Sequence, residues 1–430
     1  MYDIIIIGAR VAGSPAAMLL ARKGYKVLVV DRATFPSDTL STHQVQISGG
    51  VRLKRWGLLD KVRATNCPPA HQVTFDLGPF ALHGAFPALE GVDAVYSPRR
   101  TMLDKILVDA ARDAGAEVRE GFSIEEILID DGRVIGIRGK AKGSASVTEK
   151  AQIVVGADGL HSIVARTVQA ATYHAKPPLS CAYYTYYGGV PLEGGEIYSR
   201  DRRAIGAFPT NDGLTMIYTA WPVTEFHQYR ADIEGNFLKT LALAPSLAER
   251  VRQGKRAERF MGTADLPNFY RKPYGHGWAL AGDAGYHKDP ITAWGISDAF
   301  RDAELLAEAI DAGCSGRKPL AEALAGYEEQ RNAASKPMYD LTTQLASFAP
   351  PAPEQRQLFA ALRRNQAATD QFFGVLTGVV PMQEFFAPDN LLRILGIGGM
   401  TKIMVQKLWT ALRPAAQHES LPQDVQSIQQ

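Results

Sequence analysis

Residues 3–8 form an unbroken apolar run, the pattern of a strand buried on both faces. Residues 14–24 follow with apolar positions at helical spacing and stop at Gly24. A second buried run ends at Asp31. Together these predict a β-α-β unit of about thirty residues. An amphipathic helix is expected over 99–115, with a strand leading out of it. From 125 to 159 apolar and polar residues alternate around Asp-Gly and Gly turns. That pattern reads as a β-meander closing on a buried strand, Gln152 to Gly159.

Two blocks differ. Residues 65–98 and 170–270 are rich in aromatics and short alternating runs, which predicts an antiparallel sheet with one broad face available. A helix is expected within it at 236–253. A strand and loop return at 276–285, followed by a long helix over 295–313. That helix presents Ala299, Ala303, Leu306 and Ile310 on one face. Residues 320–347 and 354–410 read as mostly helical. Residues 414–430 are polar and Pro-interrupted, and disorder is expected there. No internal repeat is visible.

Composition narrows the class. The 430 residues are 46% hydrophobic and 21% charged, ordinary for a globular protein with a large core. A formal net charge of +2, with no basic stripe, argues against a nucleic-acid partner. Cys67, Cys181 and Cys314 stand far apart, so neither a disulfide framework nor a metal site is expected. A cytoplasmic location is expected on that ground. Neither a signal peptide nor a spanning helix is visible. Monomer and homodimer both remain open.

Three loops carry the chemistry. The first is Gly8-Ala9-Arg10-Val11-Ala12-Gly13, a G-x-G-x-x-G loop with arginine in place of the middle glycine. Gly8 permits the tight turn and Gly13 close helix packing, and the helix start offers N–H groups to a pyrophosphate. Asp31, 23 residues after Gly8, stands where a carboxylate can accept ribose hydroxyls. The second loop, 156–166, contains Asp158-Gly159 and a candidate cap, Ser162. In the third, 281–310, Gly282-Asp283 ends a strand, and Pro290 and Gly295 lead into the long helix. The N-terminus of that helix, near Ile296, suits partial negative charge.

In this order the three motifs resemble the FAD-dependent monooxygenases of the p-hydroxybenzoate hydroxylase class, within the superfamily that includes geranylgeranyl reductases and flavin-dependent halogenases. The resemblance covers roughly residues 1–345. It implies an α/β fold: a Rossmann-like FAD-binding domain (GR2-type) interleaved with an antiparallel β-sheet substrate domain, plus C-terminal helices. The FAD-binding domain would be discontinuous (1–64, 99–169 and 271–345). Residues 65–98 and 170–270 would form the substrate domain, and 346–413 a C-terminal helical segment that covers the substrate domain or forms a dimer surface.

The resemblance also implies roles. Gly8, Arg10, Ala12, Gly13 and Ser14 would surround the FAD pyrophosphate, with the Arg10 guanidinium over the cofactor entrance or the phosphate oxygens. Asp31, with Arg32 beside it, would hold the adenosine ribose. Arg100 would contact the phosphate or ribityl region, Ile124 the adenine through its backbone, and Asp283, following Gly282, the ribityl chain. Asp158 would lie near FAD and assist NAD(P)H use. Pro290 would lie by the isoalloxazine, and Gly295 and Ile296 N–H groups would face N1 and O2. The family helix usually begins G-G-Q-G-x-N, whereas here only Gly295 of Thr292-Ala293-Trp294-Gly295-Ile296-Ser297 is kept. Trp294 is a wall of the active site or simply packed. The halogenase W-x-W-x-I-P motif is absent, and no lysine stands in a halogenase-like context.

The implied reaction is an FAD- and NAD(P)H-dependent monooxygenation, with O₂ added at flavin C4a as a hydroperoxide and one oxygen delivered to an aromatic or polyketide-like small molecule. Hydroxylation and epoxidation both fit, as does NADH or NADPH. The alternatives are a reductase or dehydrogenase of the geranylgeranyl reductase type and a non-catalytic flavin-binding module. Tyr184, Tyr186, Tyr218, Trp221 and Trp294 are candidate pocket walls. Thr42, His43 and Gln44 precede an apolar helix where family members turn toward the flavin. His43 and His287 are candidate proton relays, or hydrogen-bonded structural histidines.

Overall fold

The computed structural model describes residues 1–411, with side chains through residue 401. The disorder expected at 414–430 lies outside the described residues. The expected β-α-β unit comprises the strand Tyr2–Ile7, the helix Gly13–Arg22 and the strand Val27–Val30. The Tyr2–Ile7 strand lies centrally because Ile4, Ile5 and Ile6 are wholly buried, which requires cover on both faces. It pairs in parallel with Val27–Val30 on one side and with Val147–Gly156 on the other. Glu117–Arg119 and Trp278–Leu280 extend the parallel sheet outward. One face packs on the helices Gly13–Arg22, Ile47–Trp56, Arg100–Asp113 and Gly295–Cys314. The meander Phe122–Asp130, Arg133–Ala141 covers the other and runs into the sheet through Val147–Gly156.

The second sheet runs Lys255–Arg256, Ser180–Gly188, Leu214–Pro222, Arg203–Pro209, Gly195–Arg200, Gln72–Asp76, Ala81–Ala85. It departs from the expected antiparallel pattern at one join: Gly195–Arg200 pairs with Gln72–Asp76 in parallel. These strands come from the two aromatic blocks, so their direction depends on a long connection that alternation does not encode. Its outer face packs on Phe226–Ala231, Ile233–Leu241 and Pro245–Gln253. The single helix expected at 236–253 is thus broken, with Pro245 starting the last piece.

Leu320–Ala346 returns across the molecule beside Gly295–Cys314. The C-terminal helices Pro353–Leu362 and Gln366–Thr377 then cover the edge of the second sheet. Asp370 Oδ1 accepts the Ala85 N–H at 3.0 Å, and Phe372 and Phe373 share a core with Val73 and Leu82. Among the described residues no helix is long and apolar enough to cross a membrane.

Candidate flavin site

The carboxyl ends of Tyr2–Ile7, Val147–Gly156 and Trp278–Leu280 lie side by side, so the three motif loops meet. Contact distances measure how closely. Gly8 has φ +102°, and a Cβ there would lie 2.3 Å from the Ala157 carbonyl oxygen. A Cβ at Gly13 would lie 1.8 Å from the Gly8 carbonyl oxygen. At Gly282, φ +58°, it would lie 2.9 Å from the Ala12 Cβ. Glycine is therefore required where the first loop touches the other two. The helix Gly13–Arg22 begins with no side-chain cap and no acidic residue, so its start is open to an anion. Ser14 Oγ donates to the Ala9 carbonyl at 2.7 Å and tightens the turn.

Asp31 accepts the Ala9 N–H at Oδ2 and the Ala33 N–H at Oδ1, both at 2.8 Å. The carboxylate that would hold a ribose thus also fixes the first loop. Arg32 beside it is exposed. The Arg10 guanidinium turns to Asp104 (2.5 Å) and to the Ser37 and Asp38 carbonyls (both 3.2 Å). Arg100 is likewise committed to Asp104, through Nε and Nη2 at 3.0 Å each. Asp104 is wholly buried, and a buried carboxylate requires such pairing. Both arginines converge on that carboxylate.

In the second loop Ser162 accepts the Ala165 N–H at 3.1 Å and caps a short helix as expected. Asp158 Oδ2 accepts the Ile163 N–H at 2.6 Å, and burial pushes this carboxyl up. Ile124 sits half-buried on the meander opposite Gly139. Beside the second loop an open groove of about 390 Å³ is lined by His161, Ser162, Arg166 and Arg271 among others.

In the third loop the Asp283 carboxylate is exposed and meets no hydrogen-bond donor among the described residues. Asp289 holds the turn at Pro290: its carboxylate accepts the Ile291 N–H at 3.0 Å and the Ser180 hydroxyl at 2.6 Å. Gly295 is exposed, and a Cβ there would meet nothing within 4 Å. The helix beginning there therefore opens into free space, with Ile296 buried behind it. An uncapped helix start, a free carboxylate and a second open helix start lie along one sheet end. That set fits a pyrophosphate, a polyol chain and a ring edge that gains negative charge. The residues present therefore fit FAD. Trp294 donates to the Leu376 carbonyl at 2.8 Å, and its ring abuts Gly378. It ties the helix start to the C-terminal segment.

The polar segment before Ile47–Trp56 lies against this helix start. Gln46 N–H donates to Ser297 Oγ at 3.0 Å, and Gln46 Nε2 reaches the Ala293 carbonyl at 3.2 Å and Gln44 Oε1 at 3.2 Å. Thr42 is half-buried next to them. His43 is wholly buried at φ +62° and hydrogen-bonds the Tyr186 hydroxyl through Nε2. Burial, with Arg100 and Arg99 nearby, pushes His43 down to about 3, so the ring is neutral at physiological pH. Arg99 stacks over the Tyr186 ring at 4.0 Å and pairs with Glu258 at 2.7 Å.

Strand alternation sorts the aromatic candidates. Tyr184 and Tyr186 pair with Tyr218 and Met216, and with Phe208 they share the inner face of the second sheet. The Tyr218 hydroxyl meets no partner among the described residues; burial and the charge of Asp289 push it up. Trp221, three residues beyond Tyr218, faces the other way. It stacks on Tyr229 at 4.5 Å and donates to Thr240 at 2.9 Å. It belongs to the outer core and is corrected out of the pocket set. His287 lies on a short strand pair, its Nδ1 engaged by the Pro267 carbonyl and its ring stacked on Phe269 at 5.9 Å.

A buried charge cluster was not anticipated. Asp298 accepts from Lys288 and from Arg301, and Arg301 Nη2 pairs with Asp302 at 2.7 Å. All four side chains are buried. The spacing Asp-x-x-Arg-Asp at 298–302 carried the signal, hidden behind the apolar stripe of the same helix. No group of metal-ligating side chains forms among the described residues.

Comparison with known proteins agrees with this geometry. The chain is 27% identical over 360 residues to a digeranylgeranylglycerophospholipid reductase of Methanocella arvoryzae, covering 78% of this chain and 84% of that protein. Its fold matches a myxobacterial chondrochloren halogenase with TM-score 0.76 at 19% identity, over 86% of this chain and 91% of the other. It also matches a probable FAD-dependent monooxygenase of Pseudomonas aeruginosa with TM-score 0.66 at 21% identity, over 87% and 99%. Residues 1–342 match the family model described as FAD binding domain, and with its three motif loops meeting at one end of the parallel sheet the chain is an FAD-dependent oxidoreductase of that family.

Proposed function

We propose that the protein is an FAD- and NAD(P)H-dependent monooxygenase of an aromatic or polyketide-like small molecule. The observation that carries this reading is the aromatic inner face of the second sheet, joined to the polar segment at the flavin helix. Tyr184 accepts the Ser41 N–H at 3.4 Å, and Tyr186 holds His43. Tyr184, Phe208, Met216 and Tyr218 supply an apolar wall, and the free Tyr218 hydroxyl supplies a polar anchor for a phenol, ketone or amide. Water exclusion suits oxygen transfer, because water promotes loss of peroxide.

FAD, when bound, supplies hydride acceptance and oxygen activation. The chain's own residues bind and orient. Asp283 would hold the polyol, the helix starts at Gly13 and Gly295 would hold the negative ends, and Asp31 would hold the ribose. Neutral His43 would keep the Tyr186 hydroxyl oriented rather than act as an acid. The groove by Asp158 would receive the nicotinamide donor, since Arg166 and Arg271 offer cationic donors to a pyrophosphate. Either a monomer or a homodimer accommodates this chemistry, and a cytoplasmic site would supply the donor.

A second reading is favoured by the relatives: several are digeranylgeranylglycerophospholipid reductases at 25–28% identity. The same site would then reduce a carbon–carbon double bond and transfer no oxygen. Product analysis under ¹⁸O₂ separates the two. Label in the product supports oxygenation, and turnover that continues anaerobically supports reduction.

A further inference from the structure

The cluster around Lys288 has no part in the functional reading above, yet it sits at the flavin end of the long helix. Gly282, Asp283, Tyr286, Lys288, Gly295, Asp298 and Ala299 line one narrow cleft. The expected polyol-binding carboxylate, the open helix start and the Lys288–Asp298 pair therefore share a single space. We propose that the Lys288–Asp298 ion pair sets the reduction potential of the flavin held at Asp283 and Gly295. This inference rests on the FAD assignment made above.

A hydride from a reduced nicotinamide brings two electrons and one proton. The nicotinamide leaves oxidised, and the isoalloxazine gains one negative charge. Nearby positive charge favours that change and nearby negative charge opposes it. Exposed charges would be screened, but Lys288 and Asp298 are 4% and 5% exposed, so their fields act with little screening. The groups facing Lys288 are Asp298 and Arg301 on the helix, with Asp283 and Tyr286 on its own loop. Burial pushes the Lys288 ammonium down and Asp298 holds it charged. Asp298 is also bound by Arg301, so it keeps a cationic partner if Lys288 is removed. A purely structural pair, fastening the loop to the helix, would move stability but not potential in opposite directions.

The test is a dye-referenced reduction titration of the holoenzyme under nitrogen, with FAD content read first by absorbance. Lys288→Met removes one positive charge from the cleft while Asp298 stays ionised through Arg301. It should lower the two-electron equilibrium constant at least tenfold, about 30 mV. Asp298→Asn should raise it by a similar factor. The double variant and Lys288→Arg should both stay within about a factor of two of wild type. If Lys288→Met does not fold, Lys288→Gln carries the same sign. Singles that move the potential in the same direction, or by less than a factor of two, overturn the proposal. A wild-type protein that binds no FAD overturns the cofactor assignment, and the proposal with it.

Discussion

Asp104→Ala is the perturbation whose magnitude follows most directly from the structure. Asp104 is wholly buried and receives two hydrogen bonds from Arg100 and one from Arg10. Arg100 is itself buried, so deletion strands a guanidinium in a low-dielectric site, which costs about 3–5 kcal/mol. The Arg10 contribution is smaller. Its side chain is 24% exposed and keeps its bonds to Ser37 and Asp38, so its share is about 1 kcal/mol. Unfolding entropy is about 2.1 cal/mol/K per residue, so roughly 4 kcal/mol spread over a chain this long lowers the melting midpoint by about 5 °C. The assay is calorimetry of the FAD-loaded protein. Asp104→Asn serves as a control for shape, and an Arg10–Asp104 double-mutant cycle isolates the pair. A midpoint for Asp104→Ala within about 1 °C of wild type would refute the reasoning, because unfolding entropy of that size cannot hide a stranded buried charge.

Five further outcomes are expected. Gly282→Ala places a Cβ 2.9 Å from Ala12 at φ +58°, so FAD affinity should fall at least tenfold by ultrafiltration, about 1.4 kcal/mol. Asp283→Ala should lower FAD occupancy of the purified protein, and unchanged occupancy would remove its assigned role. His43 is depressed to about 3 against about 6.5 unfolded, so the unfolded state binds the extra proton between those values. Stability therefore rises with pH across that window, and relative to His43→Gln the wild type should lose about 2 kcal/mol between pH 7 and 5 in denaturant melts. Trp221→Ala should destabilise by about 3–5 kcal/mol and leave KM unchanged in the surviving enzyme, whereas Tyr218→Phe should raise KM with little loss of stability.

Periodicity revealed the parallel sheet because each strand is an apolar run and each loop carries its glycine at a forced contact. Gly8, Gly13 and Gly282 were legible for that reason. Arg10 was legible as an exception but not in its destination, since Asp104 lies 94 residues away and only packing brings the two together. Trp221 was misplaced because an aromatic block was read as one face, whereas the pairing of Ser180–Gly188 with Leu214–Pro222 splits it by parity. Asp298, Arg301 and Asp302, the charged groups around Lys288, were missed because a helix with an apolar stripe invites no search for buried charge.

Oxygen transfer at a flavin held by the three loops is tested by anaerobic reduction of the purified yellow protein with NAD(P)H, followed by rapid mixing with O₂ in the presence of an aromatic ligand. Reoxidation is expected through a transient whose absorbance differs from both the reduced and the oxidised flavin. Single-step reoxidation with no such transient, with and without ligand, would contradict it.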